Sequence, residues 1–288
     1  MTRPADVAAT VVVAAYNEAQ TMAACVASLL AMRDSSAPIE IVIVDNGSTD
    51  GTRDILAAFG DSIRVLTETT RGAATARNCG IRAARGPIVA FTDADCVVEP
   101  EWLSHVIAPL ADRRVGVVGG TILSMPGANR IARFGEVIHD HHEAIEVQEA
   151  PYVISMNWAS RRDVLIEAGL FDVALLRGQD VDLSWRIRHA GYQLVHAPKA
   201  VLRHHNQHTL WGLAHEGYVH GRHGARVARK HGHPVDAEHS AKRTRQRLTA
   251  GLSTLARGPE RVNGLLGLVF DAGKSVGELV ALTRDTSR

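Results

Sequence analysis

The chain has 288 residues and is short of several things. It has only three cysteines, Cys25, Cys79 and Cys96. They fit no metal or redox spacing, and an odd number cannot all pair, which suits a reducing cytoplasm. Charge of one sign is missing too: 32 Lys and Arg face 31 Asp and Glu, a formal net charge of +1. No bulk field therefore draws the chain to nucleic acid or to an anionic membrane. No uninterrupted apolar run is long enough to cross a bilayer. The apolar stretch 8–15 leads straight into Tyr16-Asn17-Glu18 and not into a small-residue cleavage site, so no signal peptide is expected. No G-x-G-x-x-G follows the first apolar run, which argues against a dinucleotide-dependent oxidoreductase. Internal repeats and low-complexity segments are absent. Nine of the 15 histidines lie between His204 and His239, yet none forms an H-x-x-x-H pair with a carboxylate in a recognised zinc order.

What is there reads as an ordinary soluble α/β protein, 45% hydrophobic and 22% charged. Residues 8–15, 39–44, 63–66 and 87–91 are apolar runs of the kind buried in a parallel sheet. Helical patterns separate them. Asn17 is a candidate cap for a first helix carrying Met22, Val26, Leu29 and Leu30. The turn-rich Asp45-Asn46-Gly47-Ser48-Thr49-Asp50-Gly51 leads into a short helix that turns Ile55, Leu56 and Phe59 inward. Arg71-Gly72 opens a small-sided helix over 73–84. Strand and helix alternating at short spacing imply βαβ units, whose ligands bind beyond the carboxyl ends of the strands. Asn17, Asp45, Arg71 and Asp93 all fall at those ends. Further on, the pattern suggests a helix at 102–110, a strand at 115–118 and a strand passing into a helix over 157–168. A helix turning Leu183 and Ile187 inward follows, with strands at 192–196 and 200–203. The chain reads as mostly helical from Leu210.

The chemistry centres on Phe91-Thr92-Asp93-Ala94-Asp95-Cys96. Strand alternation puts Asp93 and Asp95 on one side. Two neighbouring carboxylates resist burial unless a cation sits between them, and a divalent metal carrying a diphosphate meets that need. A loop-entry cap is the plain alternative. Asp45 can accept a hydrogen bond from the ring N–H of uracil, thymine or guanine, or it can simply cap its own turn. Arg71 and Arg77 carry the donor fork that suits phosphate, with surface ion pairing as the alternative. Asp180 and Asp182 stand at a helix start, which favours carboxylates in any case. Functionally, Asp180 would be a general base taking the proton of an acceptor hydroxyl. His204 or His205 would be a third metal ligand. His139, His141 and His142 are expected to face solvent or an acceptor groove.

A set of motifs in order carries a resemblance. They are Val11-Val12-Val13-Ala14-Ala15-Tyr16-Asn17-Glu18, then Val44-Asp45-Asn46-Gly47-Ser48-Thr49-Asp50, then Arg71-Gly72 with Ala76-Arg77-Asn78, then Phe91-Thr92-Asp93-Ala94-Asp95. Last come Gly169-Leu170-Phe171-Asp172 and Gln179-Asp180-Val181-Asp182-Leu183-Ser184-Trp185-Arg186. Together these resemble family 2 glycosyltransferases of the GT-A fold over about residues 8–225. The resemblance implies a Rossmann-like, mostly parallel sheet flanked by helices, with a helical C-terminal extension. It implies an inverting transfer from a nucleoside-diphosphate sugar, UDP first, to a hydroxyl acceptor that is a saccharide, lipid-linked or small. Ala15, Tyr16, Glu18 and Asp45 would hold the nucleoside. Arg71 and Arg77 would assist at the nucleotide. Asp93 would bind ribose and the metal's outer shell. Asp95 and His204 would meet Mn2+ or Mg2+, and Asp180 would be the base. Acceptor contacts are expected at Asn157, Gln179 and Trp185, where Gln179 stands in place of the glutamate common in relatives.

The expected organisation is a catalytic domain over 1–230, with a nucleotide-binding part at about 8–120 and an acceptor-binding part at about 121–230. A helical extension over 231–288 would follow. The apolar, interrupted segment 262–282 is a candidate for peripheral membrane contact at the inner face, for dimerisation, or for packing on the rest of the chain. A nucleotidyltransferase, or a nucleotide-sugar binder without catalysis, are the competing readings. The first would want a glycine- and lysine-rich first loop, which is missing. The second would need no Asp180.

Overall fold

A computed structural model describes residues 7–32, 38–233, 237–256 and 261–285. These residues form two compact units. The first takes in the chain up to Met125, residues 139–174 and residues 179–205. The second takes in 126–138, 175–178 and the chain from Asn206 onward.

The first unit is built on a sheet of strands β1 (Ala9–Ala15), β2 (Ile39–Asp45), β3 (Arg64–Thr67), β4 (Ile88–Asp93), β5 (Cys96–Val98), β6 (Val115–Ser124), β7 (Asn157–Arg161) and β8 (Gln193–His204). Their spatial order is β3-β2-β1-β4-β7-β6-β8-β5. Along the chain the helices are α1 (Met22–Leu30), α2 (Thr52–Ala57), α3 (Ala73–Ala83), α4 (Trp102–Ile107), α5 (Arg130–Arg133), α6 (Gly135–Ile138), α7 (Arg162–Glu167), α8 (Gln179–His189), α9 (Leu210–Lys230), α10 (Ala237–Ala256) and α11 (Arg261–Asp285).

β1 shows why these strands read as unbroken apolar runs. Val11 and Val13 join Met22, Val26, Leu29, Trp102 and Val106 in one core layer. Val12 points the other way and joins Ala74, Ala76 and Ile81 of α3. Val11, Val12 and Val13 are all fully buried, each stabilising the fold by about 1.5–3 kcal/mol. Parallel pairing sets Ala15 beside Asp45 and Ala14 beside Asp93, so the three central strands end on one rim.

β5 was not foreseen. It starts two residues after β4 yet pairs antiparallel with β8 at the far edge of the sheet, Cys96 facing His204. The sheet must therefore curl until its last edge returns to the end of β4. The expected strands at 192–196 and 200–203 are one strand, β8, which absorbs Pro198 at a register shift against β6. A proline without an N–H is tolerated at such a bulge. The expected helix 102–110 stops at Ile107 and tightens into a 3-10 turn over Ala108–Ala111, where Pro109 lacks the donor to continue it. Asn17 does not cap α1. Thr21 occupies that position, and Asn17 lies in a loop with φ 56°.

In the second unit the helices expected from Leu210 onward are present. Gly217 and Gly221 of α9 lie against the backbone of Phe270 and Lys274, while Gly273 and Gly277 of α11 lie against Ala214 and Tyr218. Two glycine ridges, each with four-residue spacing, thus let the helices approach backbone to backbone. Leu213, Leu266, Phe270 and Phe134 fill a small core beside them. The apolar segment 262–282 is therefore packed on α9, with Leu265, Val276 and Leu279 left exposed. Of the expected helical extension over 231–288, residues 234–236, 257–260 and 286–288 lie outside the described residues. No described helix is long and apolar enough to cross a membrane.

The small face of α3 makes a testable demand. A Cβ added at Gly80 would overlap the Val12 side chain. Helix propensity alone would make Gly80→Ala stabilising by about 1 kcal/mol. Overpacking against a stiff, buried valine costs about 1–3 kcal/mol, so the variant should be less stable in urea unfolding. Adding Val12→Ala should recover part of the loss. A Gly80→Ala protein at least as stable as its parent would mean the contact is not tight.

Candidate active site

The rim is assembled by loops that hold one another. Asn17 donates its backbone N–H to the Ser48 hydroxyl and accepts the Thr49 N–H on its side chain, at 3.0 and 2.8 Å. The N–H groups of Glu18 and Ala19 donate to Thr52 Oγ1 and Asp50 Oδ2. The Ser-Thr-Asp run is thus a clamp on the loop carrying Tyr16 and Glu18. Asn46 does the same for the third loop. Its amide donates to the carbonyls of Glu68 and Thr70 and accepts from Gly72 N–H, while its own carbonyl accepts from Arg71. Gly72 has φ 139°, a conformation that disfavours any side chain. So held, the Arg71 guanidinium lies 3.2 Å from the centre of the exposed Tyr16 ring, a cation–π contact.

Asp45 is buried, with Oδ1 accepting the Ser48 N–H and Oδ2 paired with Arg53 at 2.7 Å. Burial alone would raise its pKa. The Ser48 hydroxyl, Arg53 and the Ser48 N–H outweigh burial and hold it below the usual carboxylate range. Both its turn contact and its charge are accounted for within the loop. Three donors on the four acceptor sites of the carboxylate leave one lone pair for a further donor.

The two carboxylates at the end of β4 are separately compensated. Asp93 Oδ1 pairs with Arg77 Nη2 at 2.7 Å. Arg77 is buried and also faces the Phe171 ring. Asp95 Oδ2 lies 3.2 Å from His204 Nε2. Burial raises the Asp95 pKa, but the hydrogen bond and charge of His204 outweigh it, so it lies below its ordinary value. Glu18 is shifted upward, first by burial and then by Asp95, Asp93 and Asp50, with Thr21 opposing. Negative charge is therefore concentrated where Glu18, Asp93 and Asp95 meet. The two neighbouring histidines point differently. His205 is exposed and gives only its backbone N–H to the Asp95 carbonyl, whereas His204 faces the carboxylate.

Asp95, Cys96 and His204 offer ligand atoms within 4.8 Å of one another. Cys96 is fully buried, and burial followed by Asp95 and Asp93 pushes its thiol well up, so it stays protonated. Asp95 and His204 are the donors that fit a hard divalent ion. Cis ligands of an octahedral ion at about 2.1 Å stand about 3.0 Å apart, close to the spacing already present.

Asp180 lies in the first turn of α8, with Oδ2 accepting Ser155 N–H and Oδ1 accepting Val181 N–H. Ser184 accepts the Val153 N–H and Trp185 donates to the Ala150 carbonyl, so α8 straps down residues 150–155. Gln179 is buried beside Asp180. Asp182 is fully buried and paired with Arg186 at 2.7 Å. Arg186 donates in turn to the carbonyls of Ala168 and Leu170, closing the end of α7 where Gly169 and Leu170 have positive φ. Asn78 and Phe171 exchange two hydrogen bonds, Asn78 Nδ2 to the Phe171 carbonyl and Phe171 N–H to Asn78 Oδ1. These motif residues are latches.

Two expectations need correction. Asn157, expected at the acceptor, is fully buried. Its Oδ1 accepts the Trp102 indole N–H, and its Nδ2 donates to the carbonyls of Thr121 and Ala200, beside the β6–β8 register shift. It pins the bulge and has no donor left for an acceptor. His139 and His141, expected toward solvent or a groove, are buried, while His142 is exposed. The His139 ring stands edge-on to His204. His141 Nε2 accepts the Ile154 N–H, so its proton is on Nδ1, which donates to the Gly120 carbonyl. Asn17, Asn46, Asn78 and His141 are the structural residues that motif reading passed over. Three of them sat inside the quoted motifs, where an Asn with several backbone groups in reach was the available clue.

With this geometry in hand, the chain was compared with known proteins. The family model for glycosyl transferase family 2 matches residues 10–169, more than half of the chain. The chain belongs to that family. A curated relative, the glycosyltransferase AglE of Haloferax volcanii, is 30% identical over 192 residues, 65% of this chain. The match spans 63% of that relative's length. The fold is that of GT-A glycosyltransferases. The mannosyltransferase of Pyrobaculum calidifontis, solved with GDP-Man and Mn2+, superposes with a TM-score of 0.65 at 20% identity, covering 93% of this chain and 86% of its own. The glucosyl-3-phosphoglycerate synthase of Mycobacterium tuberculosis, solved with Mn2+, UDP and phosphoglyceric acid, gives 0.58 at 22% identity, covering 81% of each chain.

Burial, opposed by the Gly120 hydrogen bond, lowers the His141 pKa to about 4. The native state keeps it neutral, while the unfolded chain takes up a proton near pH 6.5. Its contribution is therefore complete above about pH 6.5 and is lost as the pH falls toward 4, at most about 3 kcal/mol. Urea unfolding in chelator between pH 7 and 4.5 should show a slope about one proton smaller in His141→Gln than in the parent. Identical slopes would mean the ring titrates normally.

Proposed function

We propose that the chain is an inverting, metal-dependent glycosyltransferase that moves a sugar from a nucleoside-diphosphate sugar to a hydroxyl acceptor. One observation carries this: Asp95 and His204 stand 3.2 Å apart at the rim where the central parallel strands end, in a chain of this family. The two solved neighbours contain Mn2+ with GDP-Man and Mn2+ with UDP. In this reading Asp95 and His204 hold Mn2+ or Mg2+. Bound there, the ion would offset the negative charge that grows on the departing diphosphate.

Ala15, Tyr16, Glu18 and Asp45 hold the nucleoside, and Asp45 accepts the base N–H on an oxygen that keeps a lone pair. UDP is the first donor to test, with GDP and dTDP meeting the same chemistry. Asp93, oriented by Arg77, holds the ribose, and Arg71 faces the phosphates. Asp180 accepts the proton of the acceptor hydroxyl as it attacks the anomeric carbon from the face opposite the leaving group. Gln179 and Trp185 line the acceptor side. The acceptor is a saccharide, a lipid-linked saccharide or a small molecule. Any peripheral membrane contact or dimerisation through 262–282 would use the exposed Leu265, Val276 and Leu279.

Asp180→Asn should leave donor affinity unchanged by calorimetry and cut nucleoside-diphosphate release with acceptor present by about 10²–10⁴-fold. Near-parent turnover would place the base elsewhere. Asp95→Asn and His204→Ala should each abolish the gain in UDP or GDP affinity that manganese confers on the parent. If both variants keep that gain, the ion is not held by this pair.

A further inference from the structure

Away from the rim, a second group of metal-ligating side chains converges that the transfer reaction does not use. His142 precedes a π-helical turn, Glu143–Val147, Glu146 lies within it, and His196 lies on β8. Glu146 stands between the two imidazoles, with Oε2 3.0 Å from His142 Nδ1 and Oε1 3.9 Å from His196 Nδ1. The two ring centres are 6.0 Å apart. Each residue offers a ligand atom, and all of these lie within 4.8 Å of one another.

The backbone beneath them is fixed. His141, next to His142, is bonded on both ring nitrogens to buried backbone. Asp140 accepts the N–H groups of His142 and Glu143 on its side chain and that of Ala144 on its carbonyl. Tyr152 N–H donates back to the Ala144 carbonyl. His196 is held in register opposite Gly119 of β6. Three donors on pre-positioned backbone are what a metal site requires, and a π-helical turn often marks a functional position.

We propose that His142, Glu146 and His196 form a second metal site, for a zinc-type divalent ion, separate from the Asp95–His204 pair. Two imidazoles and one carboxylate suit zinc better than the hard, all-oxygen ions. Tetrahedral ligands at about 2.0–2.1 Å stand about 3.3–3.4 Å apart, and the observed 3.0 and 3.9 Å bracket that spacing. The partial exposure of the group leaves the fourth position open to water. Both histidines turn Nδ1 toward the same carboxylate, so one cation placed among them is within reach of all three side chains. Occupancy would tie the 140–147 segment to β8 and raise the stability of the folded state.

The test uses the full chain, stripped with chelator, and zinc chloride alone. Uptake is followed by calorimetry, thermal unfolding and the visible absorption of a cobalt substitute, which is intense only in a four-coordinate site. His142→Ala/His196→Ala should bind one equivalent of zinc fewer than the parent, and should lose the zinc-induced rise in Tm and the cobalt band. Glu146→Gln, which removes no ring, should weaken the same equivalent. His204→Ala should keep it, which separates this site from the proposed catalytic metal whatever the fate of transfer activity. Equal zinc uptake by the parent and the double variant would overturn the proposal. So would a parent that takes up no zinc, or an equivalent lost only in His204→Ala.

Discussion

The pairing of β5 with β8 is the constraint on which the site depends. Only Ala94 and Asp95 separate the end of β4 from the start of β5, yet three strands of the sheet, β7, β6 and β8, lie between them. The chain can make that step only if the sheet curls back on itself. The curl brings His204, 109 residues further along, to 3.2 Å from Asp95. Several other features serve it. The β6–β8 register shift absorbs Pro198, and Asn157 satisfies the two carbonyls nearby. Backbone groups left open at a bulge would otherwise cost stability in a buried site.

Charge is handled in the same economical way. Two carboxylates near one strand end do not wait for a shared cation to be tolerated. Arg77 neutralises Asp93 and His204 compensates Asp95, while Asp45 is paired with Arg53. Asp95 is the carboxylate whose partner is a possible metal ligand and not an arginine. Arg77 is buried while Asp93 is partly exposed, so removing Asp93 would leave a buried guanidinium without this partner, a costly change.

Many residues in the recognisable motifs are there to hold backbone. Asn17 and Asn46 tie adjacent loops, Asn78 latches Phe171, and Arg186 closes α7 while pairing with the buried Asp182. Asn157, outside those motifs, likewise holds backbone: it is fully buried and both hydrogens of its amide are spent on protein carbonyls. Asp180 differs. Its oxygens accept two backbone N–H groups at the start of α8, and lone pairs remain.

The amino-acid order alone determined the alternation of apolar runs and small-sided helices, and hence the sheet, its rim and the family. Local periodicity and turn chemistry are properties of neighbours in sequence, so they can be read from neighbours. It also placed Asp45, Asp93, Asp95 and Asp180 at element ends. Only the tertiary structure turned His204 and not His205 toward the Asp95 carboxylate, joined the halves of β8 across Pro198, buried His139, His141 and Asn157, and set His142 and Glu146 against His196. Each of those outcomes depends on which segment faces which after the sheet curls. Contacts across tens of residues leave no periodic trace in the chain.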